Sequence, residues 1–252
     1  PPLQVFSELE STNAEAQRQA GQAAPEWTTI FAEQQTAGRG RLNRKWDSPA
    51  GLGLYVSVIL LPEIEPQRIN LINLTFALAA AEFLEYHLQI TSSDKKVGLK
   101  WPNDLWIDHK KIGGILLESV FNNKKIEYLI IGIGLNLNQQ ITDFAPDLQD
   151  RSVSLCQLCG IHYNPVQICP EFVRRVYRRY QQESATNFMN VTEQYQERLL
   201  FKNEVVSIRS GAASQTGRII GVNPQGFLQL RNNGRDEIIT AGDIWEFKED
   251  GK

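Results

Sequence analysis

The densest chemistry in the sequence lies in Gly38-Arg39-Gly40-Arg41-Leu42-Asn43-Arg44-Lys45-Trp46, where four cations and no acid fall within nine residues. Such a loop calls for an anion: glycines let backbone amides turn toward a phosphate or carboxylate, and guanidinium forks match its oxygens in pairs. Ser48, Pro49 and Gly51 follow Trp46, so an aromatic plate lies beside the cations, a surface of the kind a nucleotide base uses. A solvated charged loop is the plain alternative, and other segments have to decide between the two. Lys100-Trp101-Pro102-Asn103-Asp104 reads as a strand ending in a proline-fixed turn that presents an amide and a carboxylate side by side. Those groups can bind a ligand or face a metal, although ordinary turns also favour them. In Lys111-Ile112-Gly113-Gly114-Ile115-Leu116 a lysine enters a strand from which two glycines remove side chains, a mark of close approach by another backbone or a ligand. Gly132-Ile133-Gly134-Leu135-Asn136-Leu137-Asn138 repeats that theme with alternating asparagines. It is not a dinucleotide fingerprint, because the third glycine and the following helix are missing.

The elements that must carry these segments are legible in outline. Thr12-Asn13-Ala14-Glu15 has the form of a capping box with the Thr12 hydroxyl as cap, which predicts a helix to about Gly21. Strands are expected at Thr28 to Glu33 and Leu54 to Leu61, and a long helix from about Gln67 to Leu88 with Leu71, Leu74, Leu78, Ala81 and Leu88 on its apolar face. Four strand-like runs follow, at Val97 to Trp101, Leu105 to Asp108, Lys111 to Val120 and Glu127 to Asn136, with tight turns at Asp108-His109-Lys110 and Asn122 to Lys125. Helical sequence dominates Val166 to Leu200, where Pro170 is expected to start or bend a helix but not to continue one. From Lys202 onward five short β-rich runs (Val205 to Arg209, Gly217 to Val222, Gly226 to Arg231, Asp236 to Thr240, Ile244 to Phe247) are punctuated by Ser210-Gly211, Asn223-Pro224 and Asn233-Gly234. They predict a small barrel, and a boundary near Phe201 divides the chain into 1–201 and 202–252.

Composition narrows the function class. The chain has 252 residues, 42% hydrophobic, with 26 Lys plus Arg against 29 Asp plus Glu. A net charge of -3 supplies no global field toward nucleic acid or an acidic membrane surface, and no apolar run reaches the roughly 18 residues of a membrane span. The start lacks the layout of a secretory signal, and three cysteines make no disulfide framework, so a cytoplasmic protein is expected. Cys156 and Cys159 have a metal-ligand spacing without a second pair and read as half-buried thiols, with Cys169 nearby. Arg174, Arg175, Arg178 and Arg179 read as a solvated helical face, His87, His109 and His162 have no evident partner, and Trp101 and Trp106 read as core.

Taken in order, these segments resemble the biotin-protein ligase, or biotin-[acetyl-CoA-carboxylase] ligase, family. The resemblance covers nearly the whole chain: Ser11-Thr12-Asn13, the Gln35 to Arg41 run, Trp46 and its Ser-Pro pair, the Lys-Trp-Pro-Asn-Asp box, the Lys-x-Gly-Gly-Ile-Leu strand, the Gly-x-Gly-x-Asn-x-Asn strand and a small C-terminal barrel. It implies an α+β fold: a mixed β-sheet with helices related to class II aminoacyl-tRNA synthetases, followed by a Src-homology-3-like β-barrel. It also implies a ligase that activates biotin with ATP and magnesium as biotinyl-5′-AMP and transfers it to a lysine of the biotin carboxyl carrier protein of acetyl-CoA carboxylase. Carried over by position, Ser11, Thr12, Asn13, Gln35, Gly38 and Gly40 would hold biotin, and Arg39, Arg41 and Lys111 would surround its carboxylate and the α-phosphate as the catalytic cations. Trp46, Asn103, Asp104, Asn136 and Asn138 would line the nucleotide, with Asp104 also a candidate for the metal or for the acceptor lysine's proton. The loop Gly38 to Lys45 is expected to be disordered until ligand closes it. Some members carry an N-terminal DNA-binding domain; here the Ser-Thr-Asn element starts at residue 11, so no DNA partner is expected, while self-association as a homodimer stays open. The rivals are a lipoate-protein ligase or octanoyltransferase, which the Gly-Arg-Gly-Arg loop disfavours, and a nucleic-acid-binding module, which the net charge disfavours.

Overall fold

The computed structural model describes residues 1–91, 95–210 and 213–246. Strand β1 (Leu3–Leu9) leads through helix α1 (Thr12–Ala20) into β2 (Thr29–Gln35), which pairs parallel to β1. β3 (Gly53–Leu60), β4 (Gly98–Lys100), β5 (Asp104–Ile107), β6 (Lys110–Asn122) and β7 (Lys125–Asn136) complete a seven-stranded mixed sheet in the order β1-β2-β3-β7-β6-β5-β4. Every pairing after β1·β2 is antiparallel. The two expected tight turns close the β5–β6 and β6–β7 hairpins with positive φ at both central residues, Asp108 and His109 in one, Asn123 and Lys124 in the other. That is the hand that matches strand twist.

Alternation along the central strands sorts the two faces. Leu54, Val56, Val58 and Leu60 of β3, with Ile131, Ile133 and Leu135 of β7, pack on helix α2 (Ile69–Gln89). Ile59 and Ile130 pack beneath Ala16 of α1 on the other face. α2 is apolar nearly all round because α4 (Pro165–Ala185) and α5 (Val191–Arg198) cover what the sheet does not. Each fully buried Leu or Phe there contributes about 1.5–3 kcal/mol. α4 starts at an Asn164 cap with Pro165 in its first turn and runs on through Pro170, so that proline neither starts nor ends the helix. A short helix α3 (Leu155–Cys159), not anticipated, is fixed by a Ser154/Gln157 capping box. Cys156 and Cys159 are half-buried, as expected, and Cys169 is buried, which pushes its thiol pKa up to about 12.

The C-terminal run forms β8 (Val205–Ser210), β9 (Ala213–Val222), β10 (Leu228–Asn232), β11 (Arg235–Ile239) and β12 (Asp243–Glu246), an antiparallel sheet in the order β11-β10-β9-β8-β12. This five-stranded antiparallel sheet is consistent with the expected small Src-homology-3-like domain; among the described residues no ladder joins β11 to β12. Gly211 and Phe247, expected in a turn and in the last strand, lie outside the described residues. Trp101 is core as expected; its indole N–H donates to Gly226 O at 3.1 Å, and Asn70 of α2 donates to the same carbonyl, docking the C-terminal sheet onto the start of α2.

Candidate active site

The N-terminus of α1 opens onto the face of the sheet opposite α2. Ser11, not Thr12, is the cap: its Oγ accepts from Ala14 N, and Glu15 pairs with Arg18 at 2.6 Å instead of reaching back. Thr12 is thereby free to point inward, where its backbone N–H and its hydroxyl donate to Gln35 Oε1 at 2.8 and 3.1 Å. Ser57, fully buried at the middle of β3, sets its hydroxyl 2.7 Å from Thr12 Oγ1 and 2.6 Å from Asn13 Oδ1. Asn13 Nδ2 donates to Glu118 of β6 at 2.7 Å, and Gln35 Nε2 donates to Ser48 Oγ at 2.8 Å. The result is one connected polar floor whose side-chain rotamers are fixed by neighbours in α1, β2, β3 and β6. Ser57 and Glu118 were not anticipated. The available signal was a lone hydroxyl in the apolar run of β3 and a lone acid in β6.

The glycine strands explain themselves here. A Cβ at Gly132 would stand 2.1 Å from Asn13 Oδ1, and one at Gly134 2.6 Å from the Trp46 ring, so both side chains lie directly on glycine backbone. Gly114 sits opposite Gly134 across the β6·β7 ladder and leaves room for Lys111, whose Nζ lies 2.7 Å from Asp104 Oδ1 and 5.3 Å from the Trp46 ring centre. Lys111 is itself held by backbone bonds to Arg151 and Val153. Beneath this, burial and then the charge of Asp47 raise the Tyr55 phenol above its usual range, so it stays a neutral donor to Pro49 O.

The structure brings Ser11, Thr12, Asn13, Gln35, Gly38, Trp46, Lys111 and Asp104 into one cluster on the face of the sheet opposite α2. Asn136 borders it, with Nδ2 donating to Val153 O at 3.1 Å. Asn103 and Asn138 act as backbone clamps: Asn103 Nδ2 holds Ile115 O at 2.7 Å, and Asn138 Nδ2 holds Gly51 O and Tyr163 O at 2.8 and 2.7 Å. The cationic loop reaches toward the C-terminal sheet. A short 3-10 turn spans Arg41–Asn43; Arg39 is exposed and has no ion pair among the described residues, while Arg41 and Arg44 both reach Asp243 of β12. Of the arginines on α4, Arg174 and Arg178 are exposed as expected, but Arg175 pairs with Glu171, and Arg179 with Glu82 and Glu183.

The arrangement suits a ligand with a polar ring at one end and an anion at the other. A sequence model of the biotin/lipoate A/B protein ligase family matches residues 5–136. The bifunctional ligase/repressor BirA of Bacillus subtilis is 32% identical over 242 residues, spanning 94% of this chain and 71% of that protein. The chain belongs to the biotin/lipoate A/B protein ligase family. A further member, the biotin--[acetyl-CoA-carboxylase] ligase of Paracoccus denitrificans, is 28% identical over 249 residues, 96% of this chain and 99% of that one. The biotin protein ligase of Aquifex aeolicus, solved in complex with biotin and ATP, superposes with a TM-score of 0.80 at 28% identity over 97% of both chains. The likeness to that structure extends over both sheets, since it covers 97% of this chain.

Proposed function

We propose that this protein is an ATP-dependent ligase that activates biotin as biotinyl-5′-adenylate and transfers it to one lysine of the biotin carboxyl carrier protein of acetyl-CoA carboxylase. The observation that carries the reading is the buried polar floor of Thr12, Asn13, Gln35 and Ser57 beside the Lys111–Asp104 pair. A ureido ring offers such a floor a carbonyl acceptor and two N–H donors. The dithiolane of lipoate offers neither and gains no hydrogen bond from that floor. The names of the relatives and the complex of one of them with biotin and ATP support the same reading. Residues 1–201 form the catalytic unit and 202–252 its appendage. The reaction belongs in a reducing cytoplasm, where the three cysteines stay free; no helix among the described residues is long and apolar enough to cross a membrane.

A carboxylate is a poor acyl donor because its leaving group would be oxide. In the first step a biotin carboxylate oxygen attacks the α-phosphorus of ATP, the bond from that phosphorus to the bridging oxygen breaks, and pyrophosphate leaves. Two anions must meet, and Arg39, Arg41 and Lys111 offset the charge that grows on the phosphate oxygens. Ser11, Thr12, Asn13 and Gln35 hold the ring, the backbone of Gly38 and Gly40 follows the carboxylate, and Trp46 stacks beside the adenine. In the second step the carrier lysine's neutral Nζ attacks the anhydride carbonyl, the bond from that carbonyl carbon to the phosphate oxygen breaks, AMP leaves, and the nitrogen gives up a proton to solvent. The donor set suits magnesium arriving with ATP: Asp104 is a single carboxylate beside the site, and no group of three acidic, histidine or cysteine side chains stands ready to hold a metal among the described residues. That is the pattern for an ion held largely by phosphate oxygens, whose charge it offsets when bound.

Biotin-dependent pyrophosphate release from ATP tests the reading. Release with biotin, falling about 100- to 1,000-fold in Arg39→Ala or Lys111→Ala, is expected from losing one preorganised charge at the reacting centre. Release with lipoate and none with biotin would overturn it.

A further inference from the structure

Arg41 does not lie over the polar floor. Its Nη1 donates to Asp243 Oδ1 at 2.7 Å and to Gly242 O at 3.1 Å, and Arg44 Nη2 stands 2.6 Å from Asp243 Oδ2. One carboxylate of β12 therefore holds two cations of the loop. Arg41 lines a cavity of about 290 Å³ with Asn73, Trp101, Leu117 and Thr240. Leu117 pairs with Ile131 on the α2 face of the sheet, whereas Asn13 and Trp46 rest over Gly132 and Gly134 on the other. Between the two arginines Leu42 takes φ 55° and ψ 34°, a left-handed geometry that costs a residue with a side chain about 1–2 kcal/mol. Backbone bonds from Gly40 N to Arg44 O and from Arg44 N to Arg41 O close the turn, and Asp243 ties it to β12.

We propose that Asp243 is a positioning residue for adenylation: its carboxylate is an internal counter-anion that parks Arg41 and Arg44 away from the reacting centre until substrate phosphate draws them off. The inference rests on the adenylation reading above. A phosphate must outcompete a carboxylate already in place, so the apparent affinity for ATP is reduced by the fraction of loops still parked. The pair is partly exposed, Asp243 at 17% and Arg41 at 25%, so the competition is modest and weakens with salt.

The test compares wild type, Asp243→Asn and Asp243→Glu by KM for ATP and kcat in biotin-dependent pyrophosphate release, and by trypsin cleavage after Arg41 and Arg44 in substrate-free protein. Asp243→Asn is expected to lower the KM for ATP about fivefold, from the loss of two partly exposed ion pairs, with kcat within about twofold. It should also speed cleavage at both arginines, and Asp243→Glu should return both readouts toward wild type. An unchanged or raised KM for ATP in Asp243→Asn overturns the proposal, as does cleavage no faster than in wild type. Should Asp243→Asn fail to fold, Arg44→Gln removes half of the same contact, and faster trypsin cleavage after Arg41 is expected from it, with an unchanged rate overturning the tether. Absence of biotin-dependent release in wild type would bring down the adenylation reading, while the cleavage rates would still decide whether Asp243 holds the loop.

Discussion

The polar floor under α1 and the cationic loop serve one site but are built differently. Thr12, Asn13, Gln35 and Ser57 are buried or half-buried, bonded to one another and locked by strands on both sides, so the recognition half needs no rearrangement to receive a ligand. The charge half depends on Asp243, contributed by a different sheet, and its central residue adopts a backbone conformation it would not choose alone. Fixed dipoles are cheap to preorganise where neighbours satisfy them, whereas like charges held together without a counter-anion repel one another. The molecule accordingly freezes the first and tethers the second.

Three perturbations would break or sharpen that contrast. Gly132→Ala places a methyl where Asn13 Oδ1 now lies, 2.1 Å away, and must displace the floor. A shift of about 1 Å at a positioned group costs on the order of 100-fold, so the expected result is a rise of that size in the KM for biotin with little change in the KM for ATP. Equal changes in both would mean that floor and loop are not separable. Ser57→Ala is milder. It removes the hydroxyl between Thr12 and Asn13 and should cost about 1–3 kcal/mol of stability in chemical denaturation, with a rise of about tenfold in the biotin dissociation constant. Unaltered stability would argue that the floor is not a tightened network. The smallest effect comes from acid. Burial opposes ionisation of Glu85, but Arg198, at 2.5 and 3.0 Å, and the Val97 N–H outweigh it and hold the carboxyl below its ordinary range. A depressed folded-state pKa stabilises the protein above the ordinary Glu pKa, and that stabilisation is lost as pH falls through the folded value. Denaturation midpoints should therefore drop in acid less steeply in Glu85→Gln than in wild type, a scaffold effect that leaves the ratio of the two KM values unmoved.

What the sequence revealed follows the range of the interactions involved. The hairpin turns were readable because Asp108-His109 and Asn123-Lys124 encode their own geometry, and the glycine strands because missing side chains announce a close neighbour. The cap was displaced by one residue: Ser11 and Thr12 are both competent, and only the position of Gln35, 23 residues on, decides that Thr12 turns inward. α3 has a local signal in the Ser154-x-x-Gln157 capping box, but five residues are too few to show a helical apolar period. The five strands of the C-terminal sheet were legible because each turn between them is local, whereas the pairing of β8 with β12 joins the first of them to the last and no local signal specifies it. Ser57 and Glu118 stand out in the sequence only as isolated polar residues in their strands, and Asp243 not at all. Each owes its importance to a partner far along the chain.

The contact between Arg41 and Asp243 spans 202 positions. During synthesis the floor's residues, none later than Asn138, are all present while β12 is still unmade, so the recognition surface can assemble on a nascent chain whose cationic loop is still untied. The last described strand to be translated is thus the one that sets the resting state of a loop made near the beginning, and a ribosome-bound chain lacking it would meet nucleotide on different terms from the finished protein.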